Sequence, residues 1–151
     1  MDKVCTFLNS SGQPGRTVRG DLRLVPATWV ACTGPTADGR MVTIAIFDHP
    51  GNLRYPSLKF TMAEPFAYLS TTLNWEKPIT LQASAPLNLC YGVAVWDGEI
   101  SPAQIEKNCH QWQSLTPKIL PGRTPGSDTS AHNASTTQAR SISSWNRPPI
   151  P

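Results

Sequence analysis

Two runs in this chain are apolar on both of their alternating faces. In "MVTIAIF", residues 41–47, Val42, Ile44 and Ile46 fall on one side and Met41, Ala45 and Phe47 on the other. "LNLCYGVAVW", ending at Trp96, has the same character. A strand that is apolar on both sides is covered on both sides. Each run therefore predicts a central strand with a layer above and a layer below. Between them the chain is cut into short pieces by 15 prolines and 10 glycines. Short alternating runs with this punctuation predict an all-β fold, an antiparallel β-sandwich-type domain of five to seven strands. The body that carries them, residues 22–116, is short for covering two such strands on both faces, which predicts part of a larger sandwich.

The remaining pieces fit that frame. "DLRLVPATWVACT" reads as two short strands broken at Pro26, which cannot donate to a ladder. Asp38-Gly39 predicts a two-residue hairpin turn into the run at 41–47. "SLKFTM" alternates Leu58, Phe60 and Met62 against Lys59 and Thr61, the pattern of a half-exposed strand. "PFAYLST" and "PITLQA" read as further extended segments. One α-helix is expected near the C-terminal end of the body. Ser101 is its N-cap, Pro102 its first residue and Gln104, three residues after the cap, completes a capping box, with Ile100 and Ile105 as a hydrophobic staple. Ile105, Cys109 and Trp112 then recur on one face.

Both ends change character. Residues 1–21 are polar and read as a loose leader. Residues 117–151 hold 18 Pro, Ser, Thr or Gly among 35 and no periodic apolar residues, so a disordered tail is expected. Residues 1–116 carry nine basic and nine acidic side chains, and the net charge of +3 comes from the tail. A neutral body argues against nucleic acid as a partner, which needs a clustered basic face. No run approaches the roughly 18–20 apolar residues of a membrane helix, and no apolar stretch of about 7–15 residues opens the chain as a secretory signal would. No membrane contact is expected, and the cytoplasm is the default compartment. The four cysteines, Cys5, Cys32, Cys90 and Cys109, form no C-x-x-C pair, and Cys90 and Cys109 read as buried free thiols. The three histidines, His49, His110 and His132, have no ligand spacing, so neither a metal nor another cofactor is expected.

The densest chemistry follows the first apolar run, in "FDHPGNLRYP", residues 47–56. Loops at strand ends are common places for binding and catalysis. In a functional reading Asp48 and His49 are an acid–base pair, with His49 suited to proton transfer near neutral pH. Asn52, Arg54 and Tyr55 are the candidate ligand-binding residues, with Arg54 offering a fork for an anionic or polyol ligand. In a structural reading the turn is a corner. Asp48 caps it, Pro50, Gly51 and Asn52 reverse it, and Arg54 pairs with Asp48 or covers it. Glu64, Asp97 and Glu99 are further carboxylates at strand ends.

Taken in order, "WVACTGPTADGRMVTIAIFDHPGNLRYP", "EPFAYLSTTLN" and "LNLCYGVAVWDGEISPAQIEKNCHQW" carry a likeness to a known family. The chain resembles the PmoA-like family, soluble bacterial β-rich proteins often labelled "methane oxygenase PmoA". Asp48-His49-Pro50, Asn52, Arg54 and Pro56 are the most specific part, and the likeness covers residues 22–113. Gly51 and Tyr55 stand where the family more often has Ser and His. Members are usually about twice as long and match through their C-terminal part, so the resemblance implies a truncated domain. It does not imply methane oxidation, because the chain has neither a membrane span nor a ligand cluster. The family has no secure activity, but it occurs beside sugar-oxidising and carbohydrate-degrading genes. The resemblance thus implies a carbohydrate-associated protein binding a carbohydrate or sugar-acid ligand or a partner. The alternatives are a sugar-processing hydrolase, lyase or epimerase using His49, and a non-functional fragment.

Overall fold

The computed structural model describes residues 5–20 and 22–116. These form β1 (Thr6–Asn9), β2 (Arg16–Arg19), β3 (Leu22–Pro26), β4 (Trp29–Pro35), β5 (Met41–Asp48), β6 (Leu58–Met62), β7 (Tyr68–Thr72), β8 (Tyr91–Asp97) and α1 (Pro102–Leu115). The strands make two antiparallel sheets, ordered β1-β4-β5-β8 and β2-β3-β6-β7. The all-β, antiparallel architecture with one C-terminal helix is as the sequence predicts. The expected disordered tail, residues 117–151 with His132 and Trp145, lies outside the described residues.

The first sheet owes its core to alternation. Trp29, Ala31, Ala45 and Phe47 project from one face and meet Ile105 and Cys109 of α1, all buried, with Leu8, Ala94, Trp96, Ile100 and Trp112 around them. Burying a side chain the size of Ile105 contributes about 1.5–3 kcal/mol. The helix begins where the sequence places it: the Ser101 side chain accepts from the Gln104 backbone N–H at 3.3 Å. The second half of the expected capping box is not made. The Gln104 amide donates instead to Asn108 Oδ1 at 3.0 Å, one turn along the helix. Gly92 lies under the Trp112 indole and opposite Phe47, which lets the helix approach the sheet closely.

Several expectations are corrected. Residues 6–9 and 16–19, inside the predicted loose leader, are strands. β1 pairs with β4 and β2 with β3, because each sheet leaves an edge whose backbone groups a short polar segment can satisfy. They raise the strand number to eight. The β4–β5 hairpin closes with Thr36 N–H donating to Arg40 O at 2.7 Å and Gly39 N–H to Thr36 O at 2.9 Å. Its loop is three residues long, with only Gly39 at positive φ (85°), rather than the two-residue turn expected. "PITLQA" is not a strand. It carries one isolated bridge, Gln82 to Ala85, and Leu81 is exposed.

The two doubly apolar runs differ from each other. β5 is central, as predicted, but β8 is an edge strand. α1 covers the face they share at Ala45, Phe47 and Gly92. On the opposite face, the one from which Asp48 reaches the second sheet, Val93 and Val95 are 68% and 62% exposed and Ile44 is exposed beside them. β6 is inverted relative to its reading. Lys59 and Thr61 are buried, while Leu58, Phe60 and Met62 are half-buried on the outer face.

Gly92→Ala tests the helix–sheet contact. Its Cβ would stand 2.7 Å from Trp112 Cε2. Overpacking of this kind costs about 1–3 kcal/mol, which urea denaturation should register as a lower midpoint. An unchanged midpoint would contradict the close approach.

Candidate functional site

β5 ends at Asp48, which points between the sheets toward β6. Both Asp48 and Lys59 have fully buried side chains, and Lys59 Nζ donates to Asp48 Oδ2 at 2.8 Å. The same Oδ2 accepts from the Ser57 backbone N–H at 2.8 Å and hydroxyl at 2.7 Å. Oδ1 accepts from the His49 backbone N–H at 3.0 Å and from Asn52 Nδ2 at 2.7 Å. Lys59 spends its other donors on Ser57 O at 2.9 Å and Ser57 Oγ at 2.8 Å. Burial by itself would raise the Asp48 carboxyl. The bonds from Lys59 and Ser57, the lysine charge and Asn52 together outweigh it and hold the acid below its ordinary range. Burial draws Lys59 down, and Asp48 opposes this. The Asp48 carboxyl is therefore ionised at neutral pH.

The rest of the turn is held as firmly. Asn52 grips the backbone of Cys90, accepting its N–H at 2.7 Å and donating to its carbonyl at 2.6 Å. That locks the turn to the residue before β8. His49 is buried, its Nδ1 accepts from Gly51 N–H at 3.0 Å, and its ring stands edge-on to Trp112 with centroids 5.7 Å apart. Gln113 donates to the Asp48 carbonyl at 2.8 Å and reaches the Tyr55 hydroxyl at 3.5 Å, tying the turn to α1. Arg54 has a positive φ of 62°. That conformation costs a non-glycine residue about 1–3 kcal/mol. Its guanidinium offsets the cost by donating to the carbonyls of Leu73, Lys77 (2.7 Å) and Pro78 (3.2 Å), fixing the 73–78 loop.

The five candidate residues therefore do different things. Asp48, His49 and Asn52 converge inside the protein, and Tyr55 joins them through Gln113. Arg54 points away and does not pair with Asp48; Lys59 does. Asp48 bonds the His49 backbone rather than its ring, so the two do not form the acid–base couple the sequence suggested. Glu64, Asp97 and Glu99 are exposed, and His110 pairs on the surface with Glu106 at 2.9 Å. All four cysteines are free, and burial pushes the Cys109 thiol up to about 12. Among the described residues no three His, Cys, Asp or Glu side chains converge as a metal site requires. None of their helices is long and apolar enough to cross a membrane.

Two surface features lie outside the sequence reading. On the outer face of the second sheet Phe60 meets Tyr68 edge-on at 6.1 Å and stacks with Trp75 at 6.2 Å, and Tyr68 meets Phe66 at 6.2 Å. Phe66, Tyr68 and Trp75 are 58%, 44% and 47% exposed. Next to them Arg54 and the 73–78 loop border a cleft of about 590 Å³, whose lining includes Arg16, Leu58, Thr72, Glu76 and Lys77. The signal for the aromatic row was the "KFTM…EPFAY…NW" spacing, which acquires meaning only once β6 is known to turn its apolar side outward.

Fold and turn define an antiparallel β-sandwich module braced by one helix. The chain belongs to the family of unknown function DUF6807, whose profile matches residues 1–110. No curated protein and no solved structure matches it.

The buried pair generates a stability test. Removing one partner of such a pair costs about 3–5 kcal/mol, so Asp48→Asn and Lys59→Met should each lose that much in urea denaturation at pH 7. The folded-state value of Asp48 is depressed, so its contribution is complete above the unfolded-state value of about 3.9 and fades as pH falls through the lower folded value. Wild type should therefore lose stability below about pH 4, and Asp48→Asn should lack that part of the loss.

Proposed function

We propose that this protein is a carbohydrate-binding β-sandwich module without catalytic turnover. The observation that carries the reading is the row of solvent-facing rings, Phe66, Tyr68 and Trp75, built on Phe60. Large exposed aromatic patches mark places where something binds. The faces of sugar rings present C–H groups that lie well on aromatic faces, and their hydroxyls remain in water. Antiparallel strands set such rings at fixed spacing, so little ordering is needed on binding. The PmoA-like resemblance, with its carbohydrate-associated neighbours, points the same way.

The alternative of a sugar-processing enzyme with His49 as acid or base has less support. His49 is buried against Trp112, with Nδ1 taken by a backbone donor, and the Asp48 carboxylate is committed to five donors. The fragment reading is favoured by one observation, the uncovered strip of Ile44, Val93 and Val95.

Thermal shift and calorimetry with a panel of oligosaccharides test the proposal. A saccharide that raises Tm, is not converted to product, and binds Trp75→Ala roughly tenfold or more weakly is the expected result. Turnover of a sugar that His49→Ala abolishes in a folded protein would overturn it.

A further inference from the structure

We infer that the saccharide recognised here is an acidic one, and that the cleft beside the aromatic row receives its carboxylate. This rests on the carbohydrate-binding reading and adds to it the chemical class of the ligand. The cleft and the row are one continuous track. Leu58 and Thr72, paired across β6 and β7, line the cleft. The next pair on the same face is Phe60 with Ser70, and the one beyond it is Met62 with Tyr68. At about 3.3 Å per strand residue, the track from Leu58 to Met62 runs for about 13 Å. Trp75, stacked on Phe60, is followed directly by Glu76 and Lys77, which line the cleft. A short oligosaccharide lying on the rings therefore carries one of its residues into the cleft.

The charge there is one-sided. Arg16, Arg54 and Lys77 line the cleft against the single acid Glu76. Arg54 is immobilised by its three carbonyl bonds, so its positive charge is fixed beside the ligand before binding. Arg16 meets Glu76 loosely, at 3.5 Å, with both side chains largely exposed. A surface pair of this kind is worth little, and a ligand carboxylate can take its place on Arg16. Guanidinium groups suit carboxylates through paired N–H donors. The cleft volume lies within the range of small-ligand sites.

The test uses the full chain and two probes of the same shape, oligogalacturonate and its methyl ester, with a neutral dextran oligomer as the third. Calorimetry should give at least tenfold tighter binding of the free acid than of the ester, with the difference shrinking as salt rises. The double variant Arg16→Ala/Lys77→Ala alters only exposed side chains, so its Tm without ligand should match wild type. It should lose most of the preference for the acid over the ester, with only the charge of Arg54 left in the cleft, whereas Trp75→Ala should weaken both. Equal binding of acid, ester and dextran by wild type would overturn the inference and leave the carbohydrate reading standing. Binding of none of the three, nor of any saccharide in the wider panel, would overturn that reading and the inference with it.

Discussion

One ion pair sets the geometry of this sandwich. Asp48 ends β5 in the first sheet and Lys59 lies within β6 of the second, and they meet with no solvent on either side chain. A pair like this is not a large source of net stability, because desolvating both charges nearly cancels their attraction. Its effect is on register. A slip of one residue in β6 would carry Lys59 to the opposite face and leave the Asp48 carboxylate buried without its cation. The outward face of β6 follows from that choice. Once Lys59 points in, Phe60 must point out, and Trp75 and Tyr68 assemble on it. The exposed aromatic row is thus the far side of the buried pair.

The turn between the two strands extends the same logic. Asp48 and Ser57 stand nine positions apart in sequence, yet Ser57 supplies two of the five donors to the carboxylate. Asn52 pins the turn to Cys90, Gln113 pins it to α1, and Arg54 pins the 73–78 loop to it. The concentration of functional groups that makes this stretch look like a reactive centre is used to join two sheets, a helix and a loop. It also holds the loop that carries Trp75, and its Arg54 stands in the lining of the cleft.

Much of the architecture was legible. β4, β5, α1 with its Ser101 cap, and the Ile105–Cys109–Trp112 stripe follow from periodicity and capping, which are local and strong signals. The errors came where a long-range partner overrode a local pattern. The alternation in "SLKFTM" is correct, but alternation does not say which face is buried, and only Asp48 decides it. β1 and β2 were missed because an edge strand needs little apolar surface of its own. "PITLQA" was over-read because alternation alone makes no strand: the segment pairs with neither sheet and forms only the Gln82–Ala85 bridge. In the turn, the sequence supplied the right residues without their partners. Neither Lys59 nor the carbonyls that hold Arg54 can be inferred from spacing, and the aromatic row becomes visible only after the inversion of β6.

The central claim is that Asp48 is an ionised carboxylate sealed against Lys59, and the most direct measurement is its own titration. Carbon-detected NMR of the side-chain carboxyl, followed from pH 7 downward, should show Asp48 remaining ionised below the ordinary aspartate range until the protein unfolds. A midpoint at or above the ordinary value, with the fold intact, would mean that the carboxylate is not held by Lys59. The register of β6, and the outward aromatic row with it, would then need another cause.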